Sequence, residues 1–127
     1  MIEALFNQPN YLATKKMLDA SVLRQEAIAS NLANLETPNY KRVDVAPSFT
    51  DSMKSAVKSQ NLGQISSLTP SIGLDPTALA ANRDGNTVEL ESELLHLNQN
   101  ALAHTLETQL ISGNLLKLRL AITGRNS

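Results

Sequence analysis

The sequence predicts an all-α chain whose long N- and C-terminal helices pair in a coiled-coil-like way, joined by a largely irregular middle segment. Three observations carry this expectation. Apolar residues recur at helical spacing toward both ends, the middle is rich in serine, proline and glycine, and aromatic residues are scarce. With 42% hydrophobic but only 3% aromatic residues among 127, the apolar content is mostly Leu, Ile, Val and Ala. Such a composition suits helix-on-helix packing.

The N-terminal helix is the first element. From Pro9 to Asn34 there is no glycine and no internal proline, and Tyr11, Leu18, Val22, Ala29 and Leu32 follow one another at helical spacing. Pro9 suits a first turn, where its missing N–H has no intrahelical partner to lose. Pro38 drives Thr37 out of the α region, so the helix is expected to stop by about Leu35.

The C-terminal helix is expected from about Thr87 to Ile122, and at ~1.5 Å per residue it would be roughly 50 Å long. Asp84-Gly85-Asn86 is a turn signal, and Asn86 with Glu89 resembles a capping box. Leu90, Leu94, Leu97, Ala101, His104, Thr108, Ile111, Leu115, Leu118 and Ile122 then follow in steps of four and three, a coiled-coil-like seam. A helix-pair seam is accordingly expected between Leu18, Val22, Ala29 and Leu32 on the first helix and Leu94, Leu97, Ile111 and Leu118 on the second.

A second apolar row, Leu95, Leu102, Leu106, Leu116 and Leu120, lies on another side of the same helix. One partner helix cannot cover both rows, so this second row is the candidate assembly interface. Gly113 interrupts the helix at about 1 kcal/mol relative to Ala. Between the helices, Lys41 to Arg83 reads as loop, with one short amphipathic helix at Asp51–Gln60 using Met53 and Val57. A loop of that length is usually functional, ordered by a partner or mobile. The chain therefore divides into residues 1–40, 41–86 and 87–127.

Composition excludes several chemistries. There is no cysteine, so disulfides, thiolate metal sites and cysteine nucleophiles are out. A net charge of −1 supplies no basic face for nucleic acid or an anionic membrane. No apolar run approaches the ~20 residues that span a bilayer, and Met1 to Asn7 lacks the basic and apolar regions of a cleaved signal. His96 and His104 are eight positions apart, poor spacing for a shared metal. Glu89, Glu91 and Glu93 read as a solvated first turn matched to the helix dipole. Ser30 and Ser112 lack a glycine elbow, and no phosphate loop is present. Lys41-Arg42 reads as the solvated end of a turn. No catalytic, cofactor or metal residue is expected.

The most informative stretch is Ser30 to Arg42. Pro38 pre-sets the first central position of a β-turn, and Asn39 tolerates the positive φ of the second position in a type II turn. Asn31 and Asn34 stand where their amides could satisfy carbonyls at the helix end. Asn31, Ala33, Asn34, Thr37, Pro38 and Tyr40 also fall on a pattern, approximately Asn-x-Ala-Asn-x-x-Thr-Pro-Gly-Tyr, that resembles the N-terminal signature of flagellar rod and hook axial proteins. Asn39 departs from it, standing where the family usually has glycine. Asp84 to Glu89, the leucine-rich helix with Asn98 and Asn100, and the stretch Gln109 to Leu118 are similar to the C-terminal end of proximal rod proteins.

The resemblance implies paired terminal helices and a non-enzymatic role, helical polymerisation into the periplasmic rod. The implied partners are copies of the chain, other rod subunits, the junction with the membrane ring, and the flagellar type III export apparatus, which moves such proteins uncleaved. Nucleic acid and direct membrane insertion are not implied. Another short rod subunit, or more remotely a helical adaptor or export chaperone, would also fit.

Overall fold

The computed structural model describes residues 9–79 and 82–123, apart from the side chains of Leu118 and Ala121. The expected first-turn place of Pro9 depends on residues 1–8, and the seam position of Leu118 on its side chain; both lie outside the described residues. The elements in order are α1 (Pro9–Ala33), β1 (Val43–Val45), α2 (Pro47–Lys58), α3 (Leu62–Ser67), β2 (Ile72–Leu74) and α4 (Leu90–Thr123). Among the described residues no helix is long and apolar enough to cross a membrane.

Helix α1 stops where Pro38 requires it to. Its last turn tightens as the Asn34 N–H donates to Ser30 O at 3.1 Å and Asn31 O at 3.2 Å, and Leu35 N–H to Leu32 O at 3.4 Å. Helix α2 begins at Pro47, whose absent N–H is no loss there, and buries Phe49, Met53 and Ala56 at i, i+4 and i+7. It is the expected short helix, begun four residues earlier than the Met53 and Val57 spacing alone indicates. Asn61 caps α3 by accepting from the Gln64 N–H at 3.1 Å, and α3 buries Ile65.

The chain is mostly helical but not all-α. Val43, Asp44 and Val45 of β1 pair antiparallel with Leu74, Gly73 and Ile72 of β2. Bonds from Ala46 N–H to Ser71 O (2.8 Å) and from Asp75 N–H to Arg42 O (2.9 Å) flank the ladder. The other edge of β1 is closed by one side chain. The Asn31 amide donates to Val43 O at 2.8 Å and accepts from the Val43 N–H at 3.0 Å, as a neighbouring strand would.

The middle segment is accordingly not a simple linker. The main apolar cluster joins Ala13 and Ala20 of α1 to Val45, Phe49, Met53, Ala56 and Ile65, so it lies between α1 and the middle segment. Alanines on α1 allow close approach there. Helix α4 packs on α1 from elsewhere, antiparallel, since Glu93 bonds Asn31 near the end of α1 and Asn100 bonds Ser21 further back.

The expected capping box does not form. Helix α4 begins at Leu90, and Asn86 instead turns its amide onto the carbonyls of Asn34, Leu35 and Thr37 at 2.8, 3.2 and 2.8 Å while its Oδ1 accepts from the Val88 N–H. Asn86 therefore caps the end of α1, satisfying carbonyls that the helix leaves open.

Candidate functional site

The Ser30–Arg42 stretch is the junction where the two halves of the chain meet. The Tyr40 N–H donates to Thr37 O at 3.3 Å, and Asn39 has φ of 60°. With Pro38 held near −65°, a positive φ at the next residue defines a type II turn. The turn docks on the segment leading into α4. Asn39 N–H donates to Asp84 O (2.8 Å), Thr87 N–H to Tyr40 O (3.0 Å), and Lys41 Nζ to Gly85 O (2.8 Å). Gly85 has φ of 80°, a backbone conformation that residues with a side chain resist, and a Cβ there would also displace Asn39 Oδ1, so the backbone calls for glycine.

The signature residues divide by role. Asn34 Nδ2 donates to Ser30 O (2.8 Å), as expected of a helix end, and Thr37 Oγ1 donates to Asn34 Oδ1 (3.1 Å). Asn31 is fully buried and serves β1 rather than helix carbonyls. Tyr40 donates its hydroxyl to Asn31 Oδ1 at 3.3 Å and lies 3.1 Å from Ser30 Oγ. Ala33 and Pro38 are exposed.

Next to this turn is a charged cluster with no counterpart among the expected site residues. Arg42 is 5% exposed, not the solvated turn end that its sequence position suggests. Its Nε donates to a Glu93 carboxylate that is 0% exposed, and its Nη1 donates to Asp44 at 2.9 Å and Asp75 at 2.8 Å. Arg24 adds a 3.0 Å pair to Asp44. Glu93 is thus no solvated first-turn acid; it also accepts from Asn31 Nδ2 at 3.3 Å. Arg42 N–H donates to Thr87 Oγ1 at 2.7 Å, so one residue ties together β1, the loop after β2 and α4.

Burial is the largest single influence on Arg42 and disfavours its charge, but hydrogen bonds to Glu93 and Asp44, with their charges, outweigh it and raise its pKa. Burial likewise acts to raise Asp44. Bonds from Arg42, the Val45 N–H and Arg24 win and hold it below the ordinary carboxylate value. Asp75 is lowered in the same way, with burial opposed by bonds from Thr77 and Arg42. Arg42, Asp44 and Asp75, fixed in their charged forms, neither give nor take protons near neutrality, and their bonds tie segments of the chain together.

The face that α4 turns to α1 is shifted from the expected leucine seam. Glu93 and Asn100 are buried at 0% and 4%, and Glu107 is half-buried. Asn100 Nδ2 donates to Ser21 O at 2.9 Å and to Gln25 Oε1 at 3.3 Å. Leu97 and Ile111 tuck half-buried beside this face, whereas Leu94 is 45% exposed. On α1, Leu18 and Leu32 are half-buried and Val22 and Ala29 exposed; the buried positions are Ala13, Ala20, Ser21, Ala27, Ile28 and Asn31. Heptad spacing gives a period, and the polar bonds choose a different phase.

The second leucine row is open: Leu95, Leu102, Leu106 and Leu116 are 57%, 63%, 52% and 55% exposed, with Leu120 half-buried. His104 is exposed and His96 half-buried, and among the described residues no group of three or more His, Asp or Glu could hold a metal.

Comparison with known proteins bears on this junction directly. A family model described as "Flagella basal body rod protein" matches residues 18–41, the half of α1 and the turn that meet the cluster. The chain is 29% identical to flagellar basal body rod protein FlgB of Borrelia hermsii, over 84% of this chain and 90% of that one. It is 27% identical to FlgB of Escherichia coli K12 (80% and 83%) and 24% identical to FlgB of Bacillus subtilis 168 (84% and 88%). Similarity to FlgB from three such distant bacteria runs through the signature turn and both long helices, and no enzyme is among these relatives. The chain is similar, over most of its length, to flagellar basal body rod proteins of the FlgB type.

Proposed function

We propose that the chain is a structural subunit of the proximal flagellar rod, polymerising helically with copies of itself and with other rod subunits to build the drive shaft across the periplasm. The observation that carries this reading is the surface of α4. Leu90, Leu94, Leu95, Leu102, Leu106, Leu110, Leu115, Leu116 and Ile122 are between 45% and 64% exposed, on more than one side of a single helix. Apolar surface of this extent is uncovered only until neighbours bury it, at about 25 cal/mol per Å² before the entropy of association is subtracted. A filament needs two different complementary surfaces on each subunit, and two leucine rows supply candidates. The rod's junction with the membrane ring, and delivery uncleaved by the flagellar export apparatus, belong to the same reading.

The test is a charge in the row farthest from α1. Leu102→Glu and Leu106→Glu are expected to yield exported, folded subunits that are missing from isolated basal bodies, because an unpaired charge is costly in a buried interface. Each variant is quantified in the periplasm and in basal bodies. Incorporation equal to wild type would remove the leucine row from the assembly.

A further inference from the structure

The rotational setting of α4 on α1 is at odds with its hydrophobicity. The stripe through Leu94, Leu97, Ala101, His104, Thr108, Ile111 and Leu115, centred roughly 70° round the helix from Glu93, Asn100 and Glu107, is the more apolar. Yet the helix buries Glu93 and Asn100 and half-buries Glu107. This leaves Asn100 Oδ1 and Glu107 Oε2 buried without a partner among the described residues. Burial of apolar area therefore does not choose the phase; directional bonds do.

Those bonds have little angular tolerance. Turning α4 by that angle would carry a side-chain tip, some 5 to 6 Å from the axis, through about 6 Å. Asn100 Nδ2 sits 2.9 Å from Ser21 O, and the Glu93 carboxylate meets Arg42 Nε and Asn31 Nδ2. A hydrogen bond is lost well before such a displacement, so the setting is all-or-none. Positions seven apart keep nearly the same azimuth, which is why Glu93 and Asn100 act on one face.

We infer that Glu93 and Asn100 are phase-determining residues: their bonds to Arg42, Asn31, Ser21 and Gln25 fix which side of α4 meets α1 and withhold the Leu94 face from the intramolecular pair. The inference concerns the isolated chain and does not depend on what later covers the leucines. Apolar burial alone would select the other face.

Because the chain has no cysteine, single cysteines report the phase without background. Leu94→Cys and Ala103→Cys are compared by maleimide labelling in the full chain, since Leu94 is exposed and Ala103 half-buried. In the otherwise wild-type chain, Leu94→Cys is expected to label faster. Adding Glu93→Ala with Asn100→Ala, and separately Asn100→Ala alone, removes the bonds without adding apolar surface. The ratio of labelling rates, Leu94→Cys over Ala103→Cys, is expected to fall by about tenfold in the double variant as the leucine face turns inward, and part-way in the single one. An unchanged ratio in the double variant overturns the inference. So does labelling of both sites at the rate of the urea-unfolded chain, because the polar residues would then hold the pair together without choosing its phase.

Discussion

Replacing Arg42 with methionine tests how much of the fold hangs on one side chain. In the native chain two guanidinium groups, Arg42 and Arg24, face three carboxylates, Glu93, Asp44 and Asp75. Arg42→Met leaves Arg24 alone against them, and Glu93 at 0% exposure is then a carboxylate with no cation. At an effective dielectric of about 20, each contact near 2.8 Å is worth roughly 6 kcal/mol before desolvation is subtracted. Desolvation removes most of that, so the expected loss is the one measured for breaking a buried pair, about 3–5 kcal/mol. Arg42→Lys should fall short of wild type as well, because an ammonium cannot serve three acceptors with the geometry of a planar fork. Urea unfolding followed by far-ultraviolet circular dichroism gives the difference. Pairing Arg42→Met with Glu93→Leu should recover a large part of it, since the stranded carboxylate is gone. An Arg42→Met chain within about 1 kcal/mol of wild type would refute the idea that this residue clamps the junction.

Asn86→Ala should destabilise by about 1–3 kcal/mol in the same assay, because the carbonyls of Asn34, Leu35 and Thr37 each lose a donor, and Asn34 O and Thr37 O keep only their turn N–H partners. At the turn, Asn39→Gly should be neutral within about 0.5 kcal/mol, whereas Asn39→Val should cost at least about 1–2 kcal/mol, since a β-branched residue resists a positive φ. Motility plates should rank the two Asn39 variants in the same order. Acid should weaken the chain through Asp44 and Asp75. Their folded pKa values are lowered, so the stability they contribute is present above the ordinary carboxylate value and is lost as pH falls through the lowered ones. Glu107 has the opposite sign. Burial raises it against a Ser21 hydrogen bond and the charges of His104 and Arg24, so Glu107→Gln should raise the urea midpoint at neutral pH and lose that advantage in acid.

What the sequence made legible was local. Pro38 and Asn39 dictated the helix stop and the turn, and the spacing of Met53 and Val57 disclosed α2, because each signal lies within a few residues of its effect. Three-residue strands carry no readable alternation, and β1 and β2 exist only because they pair with each other across the intervening helices. Arg42 looked solvated because two of its three counter-charges, Asp75 and Glu93, stand 33 and 51 positions away, and Asp44 beside it does not by itself bury a guanidinium. Asn86 carried the pattern of a capping box, yet its amide was taken by carbonyls about 50 positions back. The leucine periodicity of α4 likewise announced a helix and its repeat. Which face turns inward was decided by partners on α1 that periodicity does not describe.

The ion pairs cluster where α1 ends and α4 begins, and among the described residues none lies toward Thr123. Mechanically, α4 is then a beam of 34 residues, roughly 50 Å long, held by ion pairs at its root and by weaker contacts with α1 beyond it. Deflection of such a beam under a side load grows with the cube of the distance from its support. Stiffness beyond the last contact with α1 therefore has to come from whatever lies against the far end. Torsion behaves differently. A twist applied at the far end is resisted first where Asn100 grips Ser21 and Gln25 and then where Glu93 meets Arg42, so those two positions hand it to the rest of the chain.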